Sequence, residues 1–216
     1  MPRWCPSCVF LSIAFLVVLS SGATALAAEP PWKLVRETSD GIAVFMREPP
    51  GSTVRAALAT CIVAAPPEIV LDAAGDPETF RVSTKYVAVN HFRRTADPNV
   101  WYIYQVLSYP VVATLDYALR YERRMDRAKG VYRLSWKVTT AYGPKPLDGV
   151  IRVTLADGYI DVKPLPGGKQ VAVTYHLVAD PRGSIPGWVM RIAQKFNLPA
   201  IMRELRDESV RRAAVK

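Results

Sequence analysis

The chain has 216 residues, half of them hydrophobic, and its 28 Lys and Arg against 19 Asp and Glu give a formal charge of +9. That length allows one sizeable domain or two small ones, with enough apolar residues for a substantial core. The basic residues are scattered rather than clustered, which speaks against nucleic-acid binding and leaves an anionic membrane surface or simple solubility to account for the charge.

Residues 1–27 read as a secretory signal peptide. Arg3 supplies a positive start, Val9 to Leu19 is almost wholly apolar, and Ala25-Leu26-Ala27 has the form that signal peptidase cuts. The apolar run is shorter than the about 20 residues of a bilayer span, so cleavage after Ala27 is expected, giving a soluble periplasmic or secreted protein. Cys5 and Cys8 precede the apolar run and are discarded with the leader. Cys61 then remains alone, and its apolar strand marks it as a small buried hydrophobe.

A short helix is expected over Pro30–Thr38, after which Asp40-Gly41 turns the chain into a strand at Ile42–Arg47. Pro49-Pro50-Gly51 makes the next turn, into Val54–Val63. Pro66-Pro67-Glu68 opens a helix through Ala74, since proline is tolerated where the N–H has no intrahelical partner. A further helical turn runs from Asp76 to about Val82. Strands at Tyr86–Arg93 and Val100–Ser108 flank the turn-forming Ala96-Asp97-Pro98-Asn99. Asp116–Arg124 and Val131–Thr139 are long alternating strands joined near Arg127–Gly130. Asp157-Gly158 predicts a tight hairpin between strands at Val150–Leu155 and Tyr159–Pro164. Pro166-Gly167-Gly168-Lys169 lacks the spacing of a phosphate loop and is read as a turn into Gln170–Val178. No repeat, linker or shift of composition divides residues 28–216, which are read as one domain.

Alternate side chains of a strand share a face. Tyr117, Leu119 and Tyr121 therefore lie opposite Asp116, Arg120 and Glu122. In the next strand Tyr132, Leu134, Trp136 and Val138 lie opposite Arg133, Ser135 and Lys137. Val171, Val173, Tyr175 and Leu177 lie opposite Gln170, Thr174 and His176. Three strands thus place aromatic and aliphatic residues on one buried, concave face; periodicity alone does not distinguish a packed interior from a hollow one. Four inward tyrosines, Tyr117, Tyr121, Tyr132 and Tyr175, add hydroxyls that need partners, since an unpaired buried hydroxyl costs about 1–3 kcal/mol.

The chain then breaks at Asp180-Pro181-Arg182-Gly183 and restarts as a long amphipathic helix. Ser184 can cap it and Pro186 suits its first turn. Trp188, Ile192 and Phe196 recur every four residues on one face, and Pro199 is expected to kink or split the helix.

The run Thr174-Tyr175 … Asp180-Pro181-x-Gly183-x-Ile185-Pro186-x-Trp188 resembles the C-terminal signature of START domains, the lipid-transfer family related to the steroidogenic acute regulatory protein. Trp32 with Asp40-Gly41-Ile42, Tyr109-Pro110 leading to Asp116, and Gly149-Val150-Ile151-Arg152 are further echoes in the same order. One departure is Leu115, where family members usually carry Arg before the aspartate. The resemblance implies an α+β, helix-grip fold: a curved antiparallel sheet wrapped around the long C-terminal helix, with a hydrophobic cavity between them. It implies one lipid or sterol bound there and carried through an aqueous compartment, with transient membrane contact. The lining would come from the inward residues of Tyr117–Tyr121, Tyr132–Trp136, Val173 and Tyr175, together with Trp188, Ile192 and Phe196.

Catalytic groups are poorly supplied. His91 and His176 are far apart, and no metal-ligand spacing, Walker loop or nucleophile elbow occurs, so neither cofactor, metal nor enzymatic activity is expected. The alternatives are a polyketide cyclase or aromatase on the same fold, which is analogy from fold, or a ligand-sensing module. Arg152 and Asp116 share the outward parity and are candidates for a structural ion pair. In the tail, Arg203, Arg206, Arg211, Arg212 and Lys216 form either a solvated helix face or a patch for anionic headgroups.

Overall fold

The computed structural model describes residues 31–48, 55–80, 87–109, 113–180 and 187–215, apart from the side chains of 89, 109, 113 and 187–196. The signal-peptide reading and the cap at Ser184 and Pro186 lie outside these residues.

A short strand, β1 (Lys33–Glu37), pairs with β2 (Ala43–Arg47), which pairs with β3 (Arg55–Val63). Helix α1 (Pro67–Ala74) and a 3-10 turn at Pro77–Phe80 follow. A second meander then runs through β4 (Val87–Arg94), β5 (Val100–Tyr109), β6 (Ala113–Asp126) and β7 (Val131–Val138). After β8 (Ile151–Arg152) come β9 (Leu155–Pro164), β10 (Val171–Asp180) and the closing helix α2 (Gly187–Ala214). The strand order is β1-β2-β3-β10-β9-β7-β6-β5-β4, so β10 and β9 bridge the two meanders. Every pairing is antiparallel except β8, which lies parallel to β6. The result is a curved antiparallel sheet closed by a C-terminal helix.

Two expectations from sequence are corrected. The segment read as a short helix at Pro30–Thr38 holds β1 instead. Thr38 to Ile42 forms a tight turn in which the Ile42 N–H donates to Thr38 Oγ1 at 3.0 Å, and this brings 33–37 alongside β2 as an edge strand. The hairpin at Asp157-Gly158 does not exist either: β9 runs straight through both residues, and the earlier segment contributes only the two-residue β8. Asp157 Oδ1 accepts the Val138 N–H at 2.9 Å, so the residue that reads as a turn former is a cross-strand tie. Helix α2 passes Pro199 without a break, so the proline does not split it.

The core lies between the inner face of the sheet and the helices. On β3 the inward residues are small, with Ala57 and Ala59 fully buried and Cys61 at 5 % exposure, which lets α2 ride close to the strand. Burial pushes the Cys61 thiol up to about 11, as befits a packing residue. Leu198, Met202 and Leu205 form the buried stripe of the C-terminal half of α2, spaced as one helix face requires. Each such side chain contributes about 1.5–3 kcal/mol when fully buried.

Ion pairs tie the same half of α2 down. Arg203 forks onto Asp40 in the β1–β2 turn at 2.7 and 2.8 Å, and Arg206 adds a 2.7 Å bond to the same carboxylate. Arg212 bridges Glu208 and Asp76, and Arg211 forks onto Glu208. Four of the five cations in the basic tail are therefore matched within the fold.

Candidate functional site

Strand register assembles a row of side chains across the inner face. Trp101 on β5 stands opposite Tyr121 on β6, Tyr121 opposite Trp136 on β7, and Trp136 opposite Gly158 on β9. The row continues through Leu177 on β10 to Ala57 on β3. Its rings are in contact: Trp101 and Tyr121 are 5.6 Å apart and nearly parallel, Tyr121 and Trp136 5.7 Å apart, and Trp136 and Tyr175 of the adjoining row 5.3 Å apart. Gly158 is the gap that lets the Trp136 indole lie against the sheet. A Cβ there would stand 2.4 Å from Trp136 Cζ2 and 2.4 Å from the His176 carbonyl oxygen.

The inward residues read from sequence divide into two groups. Leu119, Tyr132, Leu134, Trp136 and Val173 are buried in the close-packed core. The Tyr132 hydroxyl, at 3.3 Å, donates to Glu68 of α1, so this tyrosine ties sheet to helix rather than facing open space. Tyr117, Tyr121 and Tyr175 are only partly buried, as are Val138 and Leu177 beside them. Trp188, Ile192 and Phe196 fall in α2, but their side chains lie outside the described ones.

The partly buried tyrosines differ in their polar ends. Tyr117 donates to Gln105 Oε1 across the β5–β6 pair at 2.7 Å. No hydrogen bond reaches the hydroxyl of Tyr121 or Tyr175 among the described residues. Burial, aided at Tyr121 by Tyr175 and Tyr117, raises both phenols well above the usual tyrosine range. Each thus packs against the core while keeping surface that a small molecule can touch. Trp101 Nε1, buried and stacked on Tyr121, also has no acceptor.

The outer face carries a separate polar cluster. Asp116 is completely buried beneath Arg152, whose Nε and Nη2 donate to its two oxygens at 2.6 and 2.7 Å, and Tyr104 donates to Oδ2 at 3.0 Å. Arg152 Nη2 also reaches the Pro144 carbonyl at 3.1 Å. The pair therefore fastens the 139–150 loop and β8 to the sheet, a structural role in keeping with its outward parity. Above it lies an open cleft of about 480 Å³ walled by His91, Arg93, Tyr104, Tyr142 and Pro144, on the face away from the inner tyrosines. His176 is also outward, between Trp32 and Tyr159. Among the described residues no three His, Cys, Asp or Glu side chains come together as a metal-binding group, and no helix is long and apolar enough to cross a membrane.

Trp101, Gln105 and Gly158 were not singled out from sequence. Strand β5 is apolar on both faces, so its alternation carries no signal, and Gly158 reads as a turn until Trp136 is seen above it.

No protein-family model matches the sequence, and no curated protein is significantly similar. Solved structures do match. The STAR-related lipid transfer protein fragment from Xanthomonas axonopodis is 24 % identical with a TM-score of 0.69, over 82 % of this chain and 98 % of that one. Human STARD10 is 17 % identical with a TM-score of 0.66, over 83 % of this chain and 73 % of that one. The Zhui aromatase/cyclase from Streptomyces sp. R1128 is 11 % identical with a TM-score of 0.53, over 74 % of this chain and 95 % of that one. At these identities the likeness is one of fold: the chain has the START-like, helix-grip fold.

Proposed function

Starting from a START-like fold, we propose that this protein binds one hydrophobic ligand, a lipid or sterol, between the inner face of the sheet and α2, and carries it through an aqueous compartment. The observation that carries the reading is the pair Tyr121 and Tyr175, deep in the fold yet with open surface and unpaired hydroxyls. The lipid-transfer proteins that share the fold support it. Uptake would be driven by removing the ligand from water, at about 25 cal/mol per Å² of apolar surface.

Release calls for a moving part, and α2 closes the inner face of the sheet. Its C-terminal half is fixed by Leu198, Met202 and Leu205 and by the arginine pairs to Asp40 and Asp76. Pro199 removes a backbone hydrogen bond just where that anchored half begins. We assign the gate to the half before Pro199. Cleavage of a leader at 1–27 would deliver the carrier to the periplasm or outside the cell, and membrane contact would be transient.

The fold shared with the Streptomyces aromatase/cyclase favours a second reading, an enzyme acting on an aromatic polyketide-type substrate. One pair of assays separates the two. Movement of a fluorescent sterol or acyl lipid between vesicles by purified protein supports the carrier. Turnover of a polyketide-type substrate without lipid movement supports the enzyme, and ligand binding with neither would leave a sensing module.

A further inference from the structure

The polar equipment of the inner face limits what the ligand can carry. Arg55, on the inward parity of β3, is in an ion pair with Glu48, a contact without an aligned hydrogen bond. Arg123, opposite Leu134 on the same face, is bound to Asp72 of α1 at 2.7 Å. The two partly buried cations of the described inner face are therefore matched, and Arg94, opposite Trp101 on the edge strand β4, is exposed and lies over the Phe92 ring. Around Trp136, what stays open among the described residues is neutral: the hydroxyls of Tyr121 and Tyr175 on either side of it, and the buried N–H of Trp101 stacked on Tyr121.

Building on the lipid-binding reading, we propose that the interior selects a lipid whose polar end is a single uncharged oxygen group, an alcohol or sterol hydroxyl, held by Tyr121 and Tyr175. A phenol both donates and accepts, so two of them satisfy a hydroxyl that offers one donor and two lone pairs. A carboxylate or phosphate in the same place would be stripped of water with no counter-charge beside the two phenols among the described residues, which the interior of a protein penalises heavily. Burial keeps both phenols protonated across the working pH range, so the site stays neutral.

A series with one chain and three head groups tests this. Delipidated protein is titrated at pH 8 with hexadecan-1-ol, hexadecanoate and hexadecyl phosphate, each below its aggregation limit. We expect the alcohol to bind at least tenfold more tightly than either anion. Removing two neutral hydrogen bonds in Tyr121→Phe with Tyr175→Phe should weaken the alcohol by about tenfold and narrow the preference. The melting temperature of this variant should stay close to wild type, since no protein partner of either hydroxyl is lost. Either anion binding as tightly as the alcohol, or an unchanged preference in the double variant, overturns the inference while leaving an internal lipid site standing. Failure of all three ligands to bind overturns the lipid-binding reading and this inference with it.

Discussion

Gly158 lies directly beneath the Trp136 indole, so close that a single added carbon would fall 2.4 Å from the ring. The backbone of β10 crowds it equally, through the His176 carbonyl. The glycine serves close approach between strands, and the row from Trp101 to Leu177 depends on it. We expect Gly158→Ala to cost about 1–3 kcal/mol by overpacking. It should also displace Trp136 and reduce retention of a fluorescent sterol. Urea unfolding and near-ultraviolet circular dichroism check this; an equally stable variant with an unchanged tryptophan signal would contradict it.

The Asp116–Arg152 pair should behave as a fastener. Replacing Asp116 with Asn leaves a guanidinium facing a neutral amide with one acceptor instead of two, and turns Tyr104 from donor to acceptor. Arg152 keeps 22 % side-chain exposure, so the loss should be about 2–3 kcal/mol, the low end of what breaking a buried pair costs. Tyr104→Phe should cost only about 1 kcal/mol. Ligand binding on the opposite face should survive both changes. Chemical denaturation read beside ligand retention checks the pair of statements.

Acid should loosen the end of α2. Arg211 and then Arg212 hold the Glu208 carboxyl at about 2, below its ordinary 4.5. A carboxyl depressed on folding stabilises above its unfolded value and loses that contribution as pH falls through the folded one. The window is therefore about pH 4.5 down to about 2. Asp40, held low by Arg203, acts in the same direction. Melting temperature should fall across this range, and Glu208→Gln should flatten part of the slope. An identical slope in the variant would remove Glu208 from the account.

Export has its own test. The mature protein should begin at Ala28 by N-terminal sequencing and be released without detergent. A full-length species held in the membrane fraction would refute the leader.

How much of this was legible in the sequence depends on the faces of each strand. In β6, β7 and β10 one face is polar, so Tyr117, Leu134 and Tyr175 could be sorted inward from alternation alone. In β5, Tyr104 and Trp101 are both buried although they point to opposite faces, and alternation is silent. In β9, Asp157-Gly158 has the composition of a hairpin but serves a hydrogen bond to β7 and a tryptophan ring, both contacts distant in sequence. The edge strand β1 has little pattern of its own and is settled by pairing with β2. For the same reason the sequence could place eleven inward residues on one face but could not separate those packed in the core from those with open surface.

The central claim is that one apolar ligand occupies the interior, and native mass spectrometry tests it most directly. Protein purified without detergent, then incubated with a total lipid extract, should carry a single added mass that is released on unfolding. Filling the space with Leu177→Trp should leave the protein folded, with little change in melting temperature, and abolish the added mass. A wild-type protein that shows only its bare mass after incubation, or a Leu177→Trp variant that still takes up one lipid per chain, would contradict the claim.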